Sequence, residues 1–238
     1  MNRTGIAAAF FLILTSAGAW AQQPSKKAPA GPPLPQVKPA PAYPEPFDFK
    51  GIRLGMTVSE FKAAPMPVAA DERTIPVCTG ESHVWEVRID ADEAKAGVVK
   101  CAWVRFAGTQ GSSAVKPQVV NSRPKNYELE FISKPGDAEP RLFSIRFALF
   151  SDAYDEIVTA IIDRFGKPAD ALESAVQSRA GAVFHNDILH WANDTGTILA
   201  VRRSGTVDTM ALVYRLTEYE KYHDATKAQL RVQRGPGL

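Results

Sequence analysis

Histidines are the first residues to test for chemistry, because imidazole is a common ligand of zinc and copper. His185, Asp187 and His190 lie close together in the sequence. Their H-x-D-x-x-H spacing matches no established coordination geometry, and in a strand His190 would point to the face opposite Trp191. The spacing therefore predicts exposed or hydrogen-bonded histidines and no metal site.

The sequence contains one short pattern that could position a nucleophile. The pattern Ser-x-x-Lys occurs three times, at Ser59 and Lys62, Ser113 and Lys116, and Ser122 and Lys125. So short a pattern arises easily by chance, and the sequence has neither a G-x-S-x-G turn nor a phosphate-binding glycine loop. We expect a protein that is not an enzyme and needs no cofactor, with a hydrolase or metal carrier as less favoured alternatives.

The two cysteines of the chain, Cys78 and Cys101, predict a disulfide. The bridge would close a loop of about 24 residues and stabilise the fold by about 3 kcal/mol on the chain-entropy account. A redox pair usually has C-x-x-C spacing and lowered thiol pKa values. The spacing here gives no such signal, so the bridge is expected to be structural.

Three helices have recognisable end signals. Thr57 and Glu60 have the spacing of a capping box, and Thr217 and Glu220 repeat it before the last helix. The strongest helix begins near residue 151 and ends at Gly166. Its apolar residues recur at the spacing of one buried stripe, at Tyr154, Ile157, Val158, Ile161, Ile162 and Phe165.

Strands are predicted from apolar and polar alternation at 83–89, 98–106, 127–131, 142–150, 188–191, 198–203 and 209–216. Residues 108–124 are rich in Gly, Ser, Gln and Pro and predict a long loop. Short connections between the last strands indicate antiparallel hairpins. The predicted fold class is α+β, with helices packed on one face of an antiparallel sheet. The element order favours two related modules, at 47–138 and 139–222.

Successive side chains of a strand point to opposite faces of the sheet, and this alternation also predicts a binding face. If the tryptophans Trp85, Trp103 and Trp191 pack against the helices, the other face carries more basic than acidic residues. The basic residues are Arg88, Lys100, Arg146, Arg202 and Arg215, and the acidic ones are Glu86, Glu128 and Glu130. This face would dock an acidic partner protein or an anionic envelope polymer. The alternative is a solvated sheet face.

The N-terminal residues 1–21 have the features of an export signal. Arg3 precedes an apolar run that ends in Ala19-Trp20-Ala21. Cleavage after Ala21 would give a periplasmic or secreted protein, with membrane contact only through this segment if it is uncleaved. A retained anchor is the alternative, because the run approaches the length of a spanning helix.

The chain termini predict unfolded segments around a globular body. Residues 22–46 are rich in Pro, Ala and Lys and predict a disordered linker. Residues 223–238 are expected to hold the end of the last helix and a disordered tail. The net charge of only +2 gives no overall electrostatic case for binding nucleic acid.

Two short motifs carry a resemblance to a known family. Gly51-Ile52-Arg53-Leu54-Gly55-Met56-Thr57 before a helix resembles the opening of the small outer-membrane assembly lipoproteins of the SmpA/OmlA type. Phe165-Gly166-Lys167-Pro168 followed by Trp191 and paired strands is similar to that family and to the tandem β-lactamase-inhibitor-like fold. The chain departs from the family in lacking the lipidated Cys and in its longer linker.

Taken together, the residues and the resemblance imply an exported, non-catalytic binding or scaffold protein of the bacterial cell envelope. The alternative from a different class is a secreted proteinaceous inhibitor of an enzyme. The sequence names no partner.

Overall fold

The structure, a computed structural model, describes residues 46–67, 71–81, 87–108 and 111–233. The predicted export signal and the predicted linker up to residue 45 lie outside the described residues, as do residues 83–86 of the first predicted strand. No helix among the described residues is both long and apolar enough to cross a membrane.

One antiparallel sheet dominates the structure. Its strands are β3 (Thr74–Cys78), β4 (Val98–Phe106), β5 (Ser112–Val115), β6 (Asn126–Ile132), β7 (Arg141–Phe150), β8 (Asp170–Gln177), β9 (Val183–Ala192), β10 (Gly196–Val201) and β11 (Thr209–Leu216). The spatial order is β3-β4-β6-β7-β11-β10-β9-β8, with β5 also paired to β4. The strands β1 (Asp48–Phe49) and β2 (Ile52–Arg53) form a separate small ribbon.

Within the described ranges, four α-helices accompany the sheet. They are α1 (Val58–Ala63), α2 (Ala91–Lys95), α3 (Tyr154–Phe165), which follows a single 3₁₀ turn, and α4 (Thr217–Gln233). The predicted α+β class and the antiparallel sheet are therefore confirmed.

The face of the sheet that packs against α1 and α3 is called the inner face. Phe61 of α1 lies 5.5 Å, between ring centroids, from both Trp103 and Phe131. The indole N–H of Trp191 donates to the Gly166 carbonyl just after α3, at 2.8 Å. Phe49 of β1 packs on the same core, against Phe147 at 4.6 Å. This face holds the main hydrophobic core.

The prediction that the helices pack on one face is not confirmed. Residues that alternate with the inner-face ones form the outer face, and α4 packs on one end of it. A second, smaller core lies there. In it, Tyr219 and His223 of α4 are buried beside the apolar residues Ile132 and Phe143. Because this end of the sheet has apolar side chains on both faces, both faces need a covering layer.

The prediction of two related modules is not confirmed either. β6 and β7, which fall in different predicted modules, are neighbours in the same sheet. The sheet continues without interruption through strands from both halves of the chain.

The local signals at helix ends give mixed results. The capping box of α1 is present, because the Thr57 hydroxyl accepts from the Glu60 N–H at 3.1 Å and the Glu60 carboxylate accepts from the Thr57 N–H at 2.7 Å. Gly166 ends α3 with a φ of +82°, a conformation that favours glycine. The second capping box does not form, since Glu220 instead pairs with Arg215 and the Thr217 N–H donates to Thr195.

Several elements differ from the predicted ones. Residues 87–89 are not a strand, whereas Thr74–Cys78 and Asp170–Gln177 are strands that alternation did not reveal. The short α2 was also not predicted, and β5 lies inside the predicted loop. α4 ends at Gln233, within residues 223–238, where the sequence predicted the end of the last helix.

Cys78 and Cys101 lie within disulfide distance. They face each other directly across β3 and β4, with their Cα atoms 4.0 Å apart. The predicted disulfide is therefore supported, and the pair is compatible with export.

Candidate functional site

The outer face of the sheet divides into two ends. At the closed end, α4 lies over Ile132 and Phe143, and α2 contacts α4 and the neighbouring strand β4. The open end consists of five apolar residues on β7, β10 and β11, which are Ala148, Leu199, Val201, Ala211 and Val213. The strand register places Lys100, Glu130, Ser144 and Arg215 in one row across the sheet, and Glu128, Arg146, Val213 and Leu199 in the next.

Lys100 is the centre of the closed end. Its Nζ lies 2.8 Å from a carboxylate oxygen of Glu93, 3.3 Å from one of Glu128 and 3.4 Å from one of Glu130. Only 12% of the lysine side chain is exposed. Burial alone would lower the pKa of Lys100, but the hydrogen bond with Glu93 and the charges of Glu128 and Glu130 outweigh it and raise that pKa. Lys100 therefore stays charged and fully engaged inside the protein.

Glu130 is a buried carboxylate shared by two bases. One oxygen lies 3.4 Å from Lys100 Nζ, and the other lies 3.4 Å from Arg146 Nε without forming a hydrogen bond. Arg146 Nε instead donates to the Ser144 hydroxyl at 3.2 Å. The two terminal nitrogens of Arg146 have no bonding partner among the described residues, and 44% of this side chain is exposed. Arg146 thus keeps hydrogen-bonding capacity towards solvent.

His223 and Arg215 complete the closed end. His223 packs beside Phe143, with ring centroids 5.0 Å apart, and its Nε2 is buried without a hydrogen-bond partner among the described residues. Burial and the nearby Lys227 lower the pKa of His223, so the ring is neutral at pH 7. Arg215 forms an ion pair with Glu220 of α4.

Arg202 lies outside this group. Its guanidinium hydrogen bonds Asp155 of α3, bonds Asp187 of β9 at 2.7 Å, and lies 4.2 Å over the Tyr154 ring. The hydrogen bonds with Asp155 and Asp187 raise the pKa of Arg202. Arg202 is therefore a brace between α3 and the sheet on the inner-face side.

Of the five basic residues predicted to share a face, the structure brings Lys100, Arg146 and Arg215 together. Arg88 is exposed in the segment that precedes α2. The grouped bases lie among four carboxylates, those of Glu93, Glu128, Glu130 and Glu220, so the named groups of this part of the sheet do not have the basic excess that the sequence predicted. That this face docks a partner stays a prediction.

Three potential metal ligands lie close together, but the set contains Glu173 in place of His190. Glu173, His185 and Asp187 each place one ligand atom within 4.8 Å of the others. His190 points to the other face of β9 and lies 3.4 Å from Asp170. The cluster already contains the guanidinium of Arg202, 2.7 Å from Asp187, and His185 is hydrogen bonded to Asp187. A cation entering it would meet that positive charge.

The open end forms a shallow depression of about 360 Å³. Its described lining consists of residues of β6, β7, β10 and β11 together with Ser204. Leu199, Val201 and Ala211 are half-buried there. Arg146 borders the depression, so an apolar surface adjoins a guanidinium that has free donors.

The chain matches no known protein family, no curated protein and no solved structure. The resemblance to the SmpA/OmlA-type lipoproteins is therefore not tested by any of these comparisons. The geometry alone carries the functional argument.

The sequence of β10 and β11 contains a signal for the open end that differs from the alternation used to predict strands. Residues 198–201 and 210–213 are apolar at every position, so both faces of β10 and β11 present apolar side chains. A continuous apolar run indicates a strand that is buried on both faces. On the outer face of these strands, however, no described element supplies the expected cover.

Proposed function

We propose that this protein is an exported, non-catalytic binding or scaffold protein of the bacterial cell envelope, and that its open end docks a partner protein. The N-terminal sequence pattern supports export. The cysteine pair at disulfide distance is compatible with it. The prediction of two related modules is kept as a hypothesis about the fold on which this function does not depend.

The proposal rests on one observation. The open end is lined by apolar side chains, and no described element covers them. Strands β10 and β11 have core-like side chains on both faces, yet Leu199 and Val201 are only half-buried on the outer face. Exposed apolar patches bordered by polar residues mark interaction sites. A partner that covers these side chains would complete the second layer that α4 begins.

The expected partner presents an apolar surface next to a carboxylate. Arg146 offers two terminal nitrogens at the border of the depression, which suit bidentate recognition of a carboxylate. A folded protein fits this combination better than an anionic polymer, because the polymer would need several free cations. Lys100, Arg202 and Arg215 are already paired with carboxylates of the chain.

A photo-crosslinking side chain placed at Val201 tests the proposal in the cell that makes the protein. We expect one specific crosslinked partner from this position. The matched control position is Thr159, which is exposed on α3 away from the outer face. Equal crosslinking patterns from the two positions would contradict the proposal.

Charge reversal at Arg146 sharpens the same experiment. Arg146→Glu should reduce the yield of the Val201 crosslink about tenfold, the change that corresponds to 1.4 kcal/mol of binding free energy. The control is Arg53→Glu, because Arg53 is exposed on β2, next to the inner-face core. A crosslink that survives Arg146→Glu, or that is lost equally in both variants, would overturn the predicted contact.

A further inference from the structure

β8 is an edge strand with one open side. It pairs with β9 along its whole length, from Asp170 opposite His190 to Gln177 opposite Val183. No other described segment pairs with it. Seven of its eight residues are exposed, and Leu172 leaves 60% of its surface in solvent. Long, regular, open edges with apolar side chains are sites of strand pairing.

β8 and β9 form a hairpin, and the half of it near the turn, called the arm, extends past the rest of the sheet. β10 pairs with β9 only from Ile188 onwards, so residues 183–187 have no strand of β10 beside them. On that side Arg203 holds the arm, because its Nε donates to the His185 carbonyl at 2.9 Å and its N–H donates to the Asn186 side chain at 2.7 Å. The opposite side of the arm, formed by β8, remains open.

The pairing with β9 determines which backbone groups of β8 point outwards. The Ser178 N–H donates to the Ala182 carbonyl at 2.8 Å, and in an antiparallel ladder every second pair is hydrogen bonded. Even-numbered residues of β8 therefore bond to β9. The N–H and C=O groups of Ala171, Glu173, Ala175 and Gln177 point to the open side.

The open side of β8 can pair with the open side of β8 in a second copy of the chain, and one antiparallel register suits this pairing best. With Ser174 facing Ser174 of a second copy, Ala171 lies opposite Gln177, and Glu173 lies opposite Ala175. All four outward-pointing residues then take part in hydrogen-bonded pairs. The register centred on Glu173 uses only three of them and brings the two Glu173 carboxylates face to face, which is unfavourable.

The side chains agree with the same register. On the outer face, Leu172 lies opposite Val176 of the second copy, and these two continue a row with Ile188 of one hairpin and Phe184 of the other. The exposed Leu172 would thus gain an apolar neighbour on its open side. On the inner face, the small Ala175 lies between Glu173 of the second copy and His185, so no large side chains collide there.

We propose that two copies of this chain associate through their β8 edges, antiparallel and with Ser174 on the twofold axis, to form one continuous sheet. The inner faces of both copies lie on the same side of that sheet. The open ends of the two outer faces likewise lie on one side, which gives a partner two docking sites. The association does not depend on the proposed docking function.

A proline substitution tests the edge directly. In Ala175→Pro the lost N–H is one that points away from β9, so the hairpin is retained while pairing with a second copy is blocked. Sedimentation equilibrium of the mature protein should show a dimer for the wild type and for the control Ala175→Val, and a monomer for Ala175→Pro. A monomeric wild type, or a dimeric Ala175→Pro, would overturn the proposal.

Cysteine crosslinking tests the register without relying on the proline variant. Ser174→Cys should form an intermolecular disulfide, since a directly opposed, non-hydrogen-bonded pair has Cα atoms about 4.5 Å apart. Glu173→Cys is the control, because in this register it lies opposite Ala175 rather than its own copy. Crosslinking from Glu173→Cys that is as fast as from Ser174→Cys would contradict the proposed register.

Discussion

The two ends of the outer sheet face use the same strands in opposite ways. At the closed end, Lys100 is surrounded by three carboxylates and covered by α2 and α4. At the open end, Leu199 and Val201 are only half-buried, in the depression that Arg146 borders. Charged residues in a strand pattern therefore do not by themselves mark a binding surface. Here Lys100 and Arg215 are paired with carboxylates of the chain, and the uncovered surface that Arg146 borders is largely apolar.

The largest effect is expected from breaking the closed end. Lys100→Met would leave the carboxylates of Glu93 and Glu130 without their ammonium partner, and such a loss costs about 3–5 kcal/mol. Urea denaturation of the mature protein measures the change. Lys95→Met is the control, since Lys95 is exposed on α2 and should change stability by about 0.5 kcal/mol or less.

Equal losses for Lys100→Met and Lys95→Met would show that ion pairs do not hold the closed end. Adding Glu130→Gln to Lys100→Met should recover part of the loss, because it removes one uncompensated buried charge.

Removing the disulfide should have a somewhat smaller effect. Cys101 adjoins Lys100 in β4, and its bridge to Cys78 ties the edge strand β3 to the closed end. Replacing both cysteines by Ser should lower the unfolding free energy by about 3 kcal/mol. Partner crosslinking from Val201 should persist wherever the variant is folded. Unchanged stability, or loss of the crosslink from a folded variant, would contradict the separation of the two ends.

The pH dependence of stability reports on His223 within the closed end. Burial and Lys227 lower its pKa below the ordinary 6.5, while Glu130, Asp224 and Glu93 partly oppose this shift. As the pH falls through 6.5, the unfolded chain takes up the proton first, so stability is lost towards the folded-state pKa. Thermal unfolding between neutral and mildly acidic pH should show a steeper loss for the wild type than for His223→Gln. Parallel curves would indicate that this ring is not buried as described.

Changes at the open end should affect stability least. Val201→Glu should lower the unfolding free energy by about 1 kcal/mol or less, since Val201 is only half-buried at the rim of the core. Its capture of the partner should fall about tenfold or more. Val232→Glu is the matched control on α4, because Val232 is 80% exposed and lies outside the depression. Equal capture by both variants would remove the open end as the docking surface.

Local sequence signals predicted much of the fold correctly. The capping box at Thr57 and the glycine stop at Gly166 fix the ends of α1 and α3 through contacts within a few residues. β4, β7 and β11 were found because each has a continuous apolar or alternating pattern. β8 was missed because its sequence, from Asp170 to Gln177, has no such pattern and becomes a strand only by pairing with β9.

The candidate site was predicted only in part. Parity within strands correctly grouped Lys100, Arg146 and Arg215 on one face, since alternation is a local property. Arg202 continues the alternation of Ile198 and Ala200 onto the inner face, but residues 198–201 are apolar at every position, so the sequence did not show which of their two faces that is. The sequence also gave no sign that Glu93, from the unpredicted α2, would reach Lys100.

Cysteine accessibility in intact cells tests the central claim most directly, because the described chain has no free cysteine to interfere. Leu199→Cys places a thiol at the open end, and Thr159→Cys places a reference thiol on α3. We predict that a small maleimide labels Leu199→Cys more slowly in cells than in the purified protein, while Thr159→Cys reacts alike in both. Equal labelling of Leu199→Cys in the two settings would contradict a docked partner.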